Sequence, residues 1–327
     1  MSSKVPWSLP EGVDEILPPK AIQVEKLRRS LLDLYLESGY EYVIPPLLEY
    51  KRNLGGKAHD EIIDYAFSFK DEISSEEVSI RPDISEQAAR IDAYRIKSKD
   101  IIKLCYAGDV VKSKSSPINR SRSTIQVGAE IFGDASMEAE IESICLMIDS
   151  LKVIGVEDVT ISLSSSKVTA LVLNNAVARG VNEKEINKAL NRKSESDLME
   201  VSKELDQEDI DLLLNLSSLY GGEEIIDEAK KKLSSILPSI EEELNYLRLL
   251  VLGIKKKKEV DLYIDLGETL GFKYHTGVVF AAYVEEAGHA LAKGGRYDGI
   301  SDINNHRPAV GFDLDLLAVT SLVYKEK

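Results

Sequence analysis

The sequence predicts an α+β fold: a mostly antiparallel sheet flanked by helices and interrupted by a helical insertion. Three observations predict it. Short alternating or apolar runs occur on both sides of the chain's middle, as at 124–132, 260–266 and 278–284, the first two closed by Gly133 and Gly267. Amphipathic helical stretches lie between these runs instead of clustering apart from them. Residues 166–250 then change to a Leu-, Lys- and Glu-rich helical pattern with no strand signal.

In chain order, a helix follows Pro18-Pro19 with Leu27, Leu31, Leu34 and Tyr35 on one face, and Gly39 ends it. Tyr40 to Ile44 is extended and closed by Pro45-Pro46. Residues 51–75 read as a polar loop, and Val78 to Ile80 as a short strand. Ile84 to Ile96 is helical by its apolar spacing, and Ile101 to Ala107 is strand-like. Lys112 to Ser123 is a polar loop without an acid, and Thr124 to Phe132 is a strand. A helix over Ser136 to Ile154 carries Glu138 and Glu140 in its first turn, Ile141, Ile144, Ile148 and Leu151 at helical spacing, and Gly155 as its stop. Val159 to Leu163, Val260 to Leu266, Val278 to Val284, Ala290 to Ala292 and Pro308 to Leu314 read as strands. A last helix runs to about Val323. The expected division is a core of residues 1–165 and 251–327 around an insertion at 166–250.

Composition narrows the function. The 327 residues are 43% hydrophobic, enough for a large core. Lys and Arg number 41 against 56 Asp and Glu, a net charge of −15. Such a surface repels a phosphate backbone, so tRNA and other nucleic acids are not expected partners. Cys105 and Cys145 sit among apolar residues without metal-ligand spacing, as buried thiols of a reducing cytosol do. No apolar run approaches the ~20 residues of a membrane span. The opening segment lacks a signal-peptide layout. A cytoplasmic protein is expected, with no metal and no cofactor. Lys255 to Lys258 reads as a solvated turn.

Three stretches carry a resemblance. The first is Leu9-Pro10-Glu11-Gly12-Val13 with Gly39-Tyr40-Glu41 and Ile44-Pro45-Pro46. The second is Arg81-Pro82-Asp83-Ile84-Ser85 with the segment from Gly108 to Gly133. The third, and most specific, is Lys293-Gly294-Gly295-Arg296-Tyr297-Asp298-Gly299 ahead of Pro308-Ala309-Val310-Gly311-Phe312. Together they resemble the catalytic domain of histidyl-tRNA synthetase over residues 9 to 323, which implies a class II aminoacyl-tRNA synthetase-like fold and a dimer packed through the first motif.

The resemblance splits into two halves. The family's histidine-pocket positions hold Asp83, Ser85, Gln126, Glu130, Tyr274 and Tyr297 here, with His275 in place of a second tyrosine. Carboxylates suit an α-ammonium and an imidazole N–H, and Gln and Tyr supply neutral hydrogen bonds. Plainer readings stand beside these: Glu130 as a sheet-end salt bridge, Tyr274 as a core aromatic, Asp83 as a helix N-cap. His59, His289 and His306 have no partner pattern and read as surface residues. The positions that handle ATP have changed. Lys112, Lys114 and Thr124 replace the family's arginine, glutamate and adenine-stacking phenylalanine. Leu270 and Ala318 replace two more arginines, and Asp315 a small glycine. Each lost cation is worth ~2–4 kcal/mol of transition-state stabilisation, so no amino-acid activation is expected. No anticodon-binding domain is expected to follow the third motif.

This combination resembles the ATP phosphoribosyltransferase regulatory subunits of bacterial histidine biosynthesis. The resemblance implies a non-catalytic, allosteric subunit of a short-form ATP phosphoribosyltransferase in a hetero-octamer, with histidine as the feedback effector. The alternative is an active histidyl-tRNA synthetase-like enzyme. The acid-free loop, with Lys112, Lys114, Arg120 and Arg122, reads either as a plain surface loop or as a contact to the catalytic subunit or its phosphate-rich substrates.

Overall fold

The structure is a computed structural model that describes residues 7–54, 63–115, 120–269, 274–299 and 307–324. Its helices are α1 (Lys20–Glu37), α2 (Ser85–Ile91), α3 (Met137–Val153), α4 (Ser166–Ala178) and α5 (Glu183–Asn191), then α6 (Glu195–Val201), α7 (Gln207–Ser218), α8 (Glu224–Leu233), α9 (Ile240–Lys257) and α10 (Leu316–Val323). The strands are β1 (Glu41–Tyr42), β2 (Leu48–Tyr50), β3 (Phe67–Lys70), β4 (Glu77–Ile80), β5 (Ile102–Val111) and β6 (Ser123–Phe132). They continue as β7 (Thr160–Ser165), β8 (Tyr220–Gly221), β9 (Asp261–Asp265), β10 (Val278–Tyr283), β11 (Ala292–Arg296) and β12 (Ala309–Asp315).

Nine strands form one sheet in the order β1-β5-β6-β12-β11-β10-β7-β9-β8. The β1–β5 and β7–β9 pairs are parallel and the others antiparallel. The small sheet β2-β4-β3 stands apart. Side chains alternate across a strand, so the central strands have two different faces. Cys105, Val127, Ala129, Ile131, Val310, Phe312 and Leu314 belong to the large core that includes α1 and α3. Tyr35 of α1 meets Phe312 edge-on at 6.0 Å. The other face gathers Leu104, Tyr106, Phe132, Tyr297 and Ala309 with Ile84 and Ala88 around α2.

Local chemistry sets the ends. The Ser136 hydroxyl accepts from Ala139 N at the start of α3, ahead of Glu138 and Glu140. Ser38 closes α1 and Gly39 follows with φ +85°. The structure departs from expectation in several places: β2 matches no expected strand, and Lys255 to Lys257 end α9 where a turn is expected. The segment read as loop over 51–75 contains β3, which pairs with β4 through Phe67 to Lys70; its side chains are largely exposed, so no burial pattern marks it. The helix over 84–96 stays α-helical only to Ile91 and becomes a π-helical turn over Asp92–Ile96, ended by Lys97 at φ 56°. The strand expected at 290–292 is β11, starting at Ala292 and running through the glycine pair to Arg296; glycine's weak strand propensity hides it. Within 166–250 the chain adds β8, a two-residue edge strand beside β9.

Candidate functional site

The face carrying α2 holds the candidate residues. Antiparallel register places Gly108 opposite Gln126, Tyr106 opposite Gly128 and Leu104 opposite Glu130. On the other side of β6, Asp315, Asp313 and Gly311 stand opposite the same three residues of β6. Lys293 and Gly295 follow opposite Asp313 and Gly311. A period of two turns all of these toward one surface. Glycines let side chains lie close against the sheet. A Cβ on Gly311 would overlap the Glu130 carboxylate, and one on Gly295 the His275 ring.

Glu130 is the floor. It is 1% exposed. Its Oε1 accepts from the Tyr106 hydroxyl at 3.0 Å, and its Oε2 from the Tyr297 hydroxyl. Burial pushes its pKa up to about 8 against those hydrogen bonds, which favour the anion. The carboxyl is therefore largely protonated at neutral pH, unless a cation arrives. Burial also drives the hydroxyls of Tyr106, Tyr274 and Tyr297 well above their usual range, with the nearby Glu130 charge adding to it. They remain neutral donors.

One connected network reaches the rim. Ser85 Oγ lies 2.9 Å from the Tyr106 hydroxyl. Ser85 N donates to Asp83 Oδ1 at 2.7 Å, and Gln126 Nε2 donates to Asp83 Oδ2 at 3.2 Å. Gln126 Oε1 in turn accepts from Ile84 N at 2.8 Å, which fixes the amide. Aromatic rings form the wall. Tyr274 stacks on Tyr297 at 5.1 Å and meets His275 edge-on at 4.9 Å. All seven residues singled out in the sequence thus meet in one place. The plainer readings resolve individually. Glu130 is held by two tyrosines and not by a salt bridge. Asp83 sits one residue before the N-cap position, Ile84, where it accepts from Ser85 N and also orients Gln126. Tyr274 is both packed and part of the wall.

Three neighbours were given no role from the sequence. Tyr106 bridges Ser85 and Glu130, and only the small Gly128 opposite it hints that a large ring crosses there. Lys293 and Asp313 face each other across β11 and β12. The Asp313 charge raises the Lys293 pKa, and burial lifts Asp313 to about 6 although Lys293 opposes it.

The changed positions cluster at the other end. Thr124 Oγ1 donates to Asp315 Oδ1, and Asp315 caps α10 through Leu317 N and Ala318 N, each at 3.0 Å. Lys112 is exposed, and the exposed Lys114 lies over the Tyr65 ring. Leu270, His59 and His306 fall outside the described residues. His289 is half-buried, not a surface residue as expected.

The frame is held by two arginines. Arg296 Nε pairs with Glu140 Oε1 at 2.5 Å, both buried, and its other nitrogens reach Asp134 O and Ser136 O at 3.0 Å. Arg81, beside Asp83, donates to Asp109 O and Pro45 O at 2.8 Å, joining the first motif to β5. No cluster of three His, Cys, Asp or Glu able to hold a metal occurs among the described residues.

Comparisons with known proteins agree with this frame. A profile of the histidyl-tRNA synthetase family matches residues 12–319. The ATP phosphoribosyltransferase regulatory subunit of Thiobacillus denitrificans is 39% identical over 311 residues, 95% of this chain and 96% of the relative. That of Pseudomonas savastanoi is 37% identical over 318 residues, 97% of this chain and 80% of the relative. The chain belongs to the ATP phosphoribosyltransferase regulatory subunit family. A solved structure from Bacillus halodurans, described as an ATP phosphoribosyltransferase regulatory subunit/histidyl-tRNA synthetase, superposes with a TM-score of 0.86 at 25% identity, over 99% of this chain and 85% of that one. The class II synthetase-like fold is therefore established for this member of the regulatory-subunit family. The departures at Lys112, Thr124, Asp315 and Ala318 belong to a chain whose relatives are named for regulation.

Proposed function

We propose that this chain is the non-catalytic regulatory subunit of a short-form ATP phosphoribosyltransferase, acting in the first step of histidine biosynthesis, and that it carries the feedback site for histidine. The buried Glu130, bonded to Tyr106 and Tyr297 and surrounded by the other candidate residues, carries the reading. In this pocket Asp83 and Gln126 take the α-ammonium. Glu130 and Tyr297 meet the imidazole, with Tyr274 and His275 as the aromatic wall and Ser85 holding Tyr106 in place. An imidazolium there finds a carboxyl that can give up its proton to form an ion pair. Histidine regulates only by binding two states of the assembly with different affinity.

The partner contacts follow from exposed chemistry. Tyr42, Ile44, Leu47, Leu48 and Ile101 are exposed near the β1 edge of the sheet, which supports self-association there as a dimer within a hetero-octamer. Of the acid-free loop, Arg122 is engaged internally, donating to Glu11 O and Ser113 O. Lys112, Lys114 and Arg120 stay exposed for the catalytic subunit. No described helix is long and apolar enough to cross a membrane, and a cytoplasmic location fits. Residues 166–250 act as an insertion within the 1–165 and 251–327 core.

Titration calorimetry with histidine tests the pocket. One site per chain is expected for the parent, lost in Glu130→Ala with circular dichroism unchanged. A parent that ignores histidine, both alone and with the catalytic subunit, contradicts it. The competing enzyme reading predicts histidine-dependent exchange of pyrophosphate into ATP by the chain alone.

A further inference from the structure

The Thr124 end of the cleft has a charge arrangement of its own. Asp315 and Asp313 stand opposite Gln126 and Gly128 on the face that holds Glu130. The N–H groups that open a helix attract anions when left free. In α10 they are taken: Leu317 N and Ala318 N both donate to Asp315 Oδ1, and Thr124 adds a hydroxyl to the same oxygen. The chain's own carboxylate occupies the place an anionic ligand would use. Asp313 has no capping duty. It is half-buried, faced by Lys293 across the strand pair, with Lys112 as a weaker second cation. Asp83, held by Gln126, supplies a third carboxylate to the same surface. The half-buried Asp83, Asp313 and Asp315 thus outnumber the exposed Lys293 and Lys112. Close like charges in a partly buried cleft repel far more than they do in water.

We infer that Asp313 and Asp315 are specificity-determining residues that close this end of the cleft to phosphorylated ligands while leaving it open to an amino acid's ammonium group. The inference rests on reading the cleft as the effector site. Its consequence is regulatory. The relatives are named as subunits of an enzyme that uses ATP, and a site that rejects polyphosphates reports the amino acid alone, whatever the nucleotide level.

The test uses inorganic tripolyphosphate as the probe, at constant ionic strength, on the full chain. Asparagine at 315 retains the N-cap and removes the charge. In Asp313→Asn/Asp315→Asn, tripolyphosphate binding by calorimetry should tighten at least about tenfold over the parent, and should then compete with histidine. Equal tripolyphosphate affinity in parent and variant overturns the inference. If the double variant does not fold, Asp313→Asn alone decides, since that side chain caps nothing: a smaller rise in the same direction is expected, and no rise overturns. Histidine titration of the parent is read separately. Its failure counts against the effector site, whereas histidine binding without any gain in tripolyphosphate affinity counts only against the charge closure.

Discussion

Replacing Glu130 by Gln should flatten the pH dependence of stability through neutrality. The carboxyl is 1% exposed, and burial raises its pKa from 4.5 to about 8. The unfolded chain gives up this proton near the ordinary carboxylate range, whereas the folded chain keeps it to about 8. The stabilisation is thus fully present below about 4.5 and is lost as pH rises through about 8. One pH unit of mismatch is worth about 1.4 kcal/mol. The gap between 4.5 and about 8 therefore sets a ceiling of roughly 5 kcal/mol. Part of that gap lies below pH 5, and local relaxation and water entry reduce it further, so a loss of ~2–4 kcal/mol between pH 5 and pH 9 is expected. Gln keeps the shape and can still accept from one tyrosine and donate to the other. Urea unfolding of parent and Glu130→Gln at each pH from 5 to 9 isolates the effect, because Asp313, also raised, titrates in both proteins. The parent should lose at least ~2 kcal/mol relative to the variant across that range. A difference that stays constant with pH refutes the reasoning.

Other perturbations probe the same frame. Gly311→Ala puts a Cβ into the Glu130 carboxylate; a loss of ~3 kcal/mol or more in urea unfolding and no histidine binding are expected. Tyr297→Phe keeps the stack on Tyr274 but removes the donor to Glu130. Histidine affinity by calorimetry should fall about tenfold, with the melting temperature lowered by only a few degrees. Arg296→Met leaves Glu140 buried with one fewer partner and should cost ~3–5 kcal/mol of unfolding free energy, part of it recovered in Arg296→Met/Glu140→Leu.

The strands that build the site were legible because they alternate or stay apolar over several residues. β6 and β12 follow the expected runs within a residue or so. β11 was not legible in full, since its glycines have no side chain to show a pattern; the purpose of Gly295, like that of Gly311 in β12, appears only when they meet His275 and Glu130. β3 was missed because it is short and largely exposed. The seven candidate residues were singled out through motif resemblance. Spacing alone does not bring Asp83, Glu130 and Tyr297 together, because strand register and a long connection do that. Tyr106, Lys293 and Asp313 escaped because each is defined by what faces it across the sheet. Such pairing is a property of the tertiary structure. The thiols read as buried are buried and free.

Reconstitution with a short-form catalytic subunit tests the regulatory role most directly. Phosphoribosyl transfer from phosphoribosyl pyrophosphate to ATP would be followed with the catalytic subunit alone, with this chain, and with this chain plus histidine. The expected result is low activity alone, a large rise on adding the chain, and inhibition by histidine that disappears when Glu130→Ala replaces the parent. Unchanged activity on adding the chain, or equal histidine inhibition with and without it, would contradict the role assigned to it.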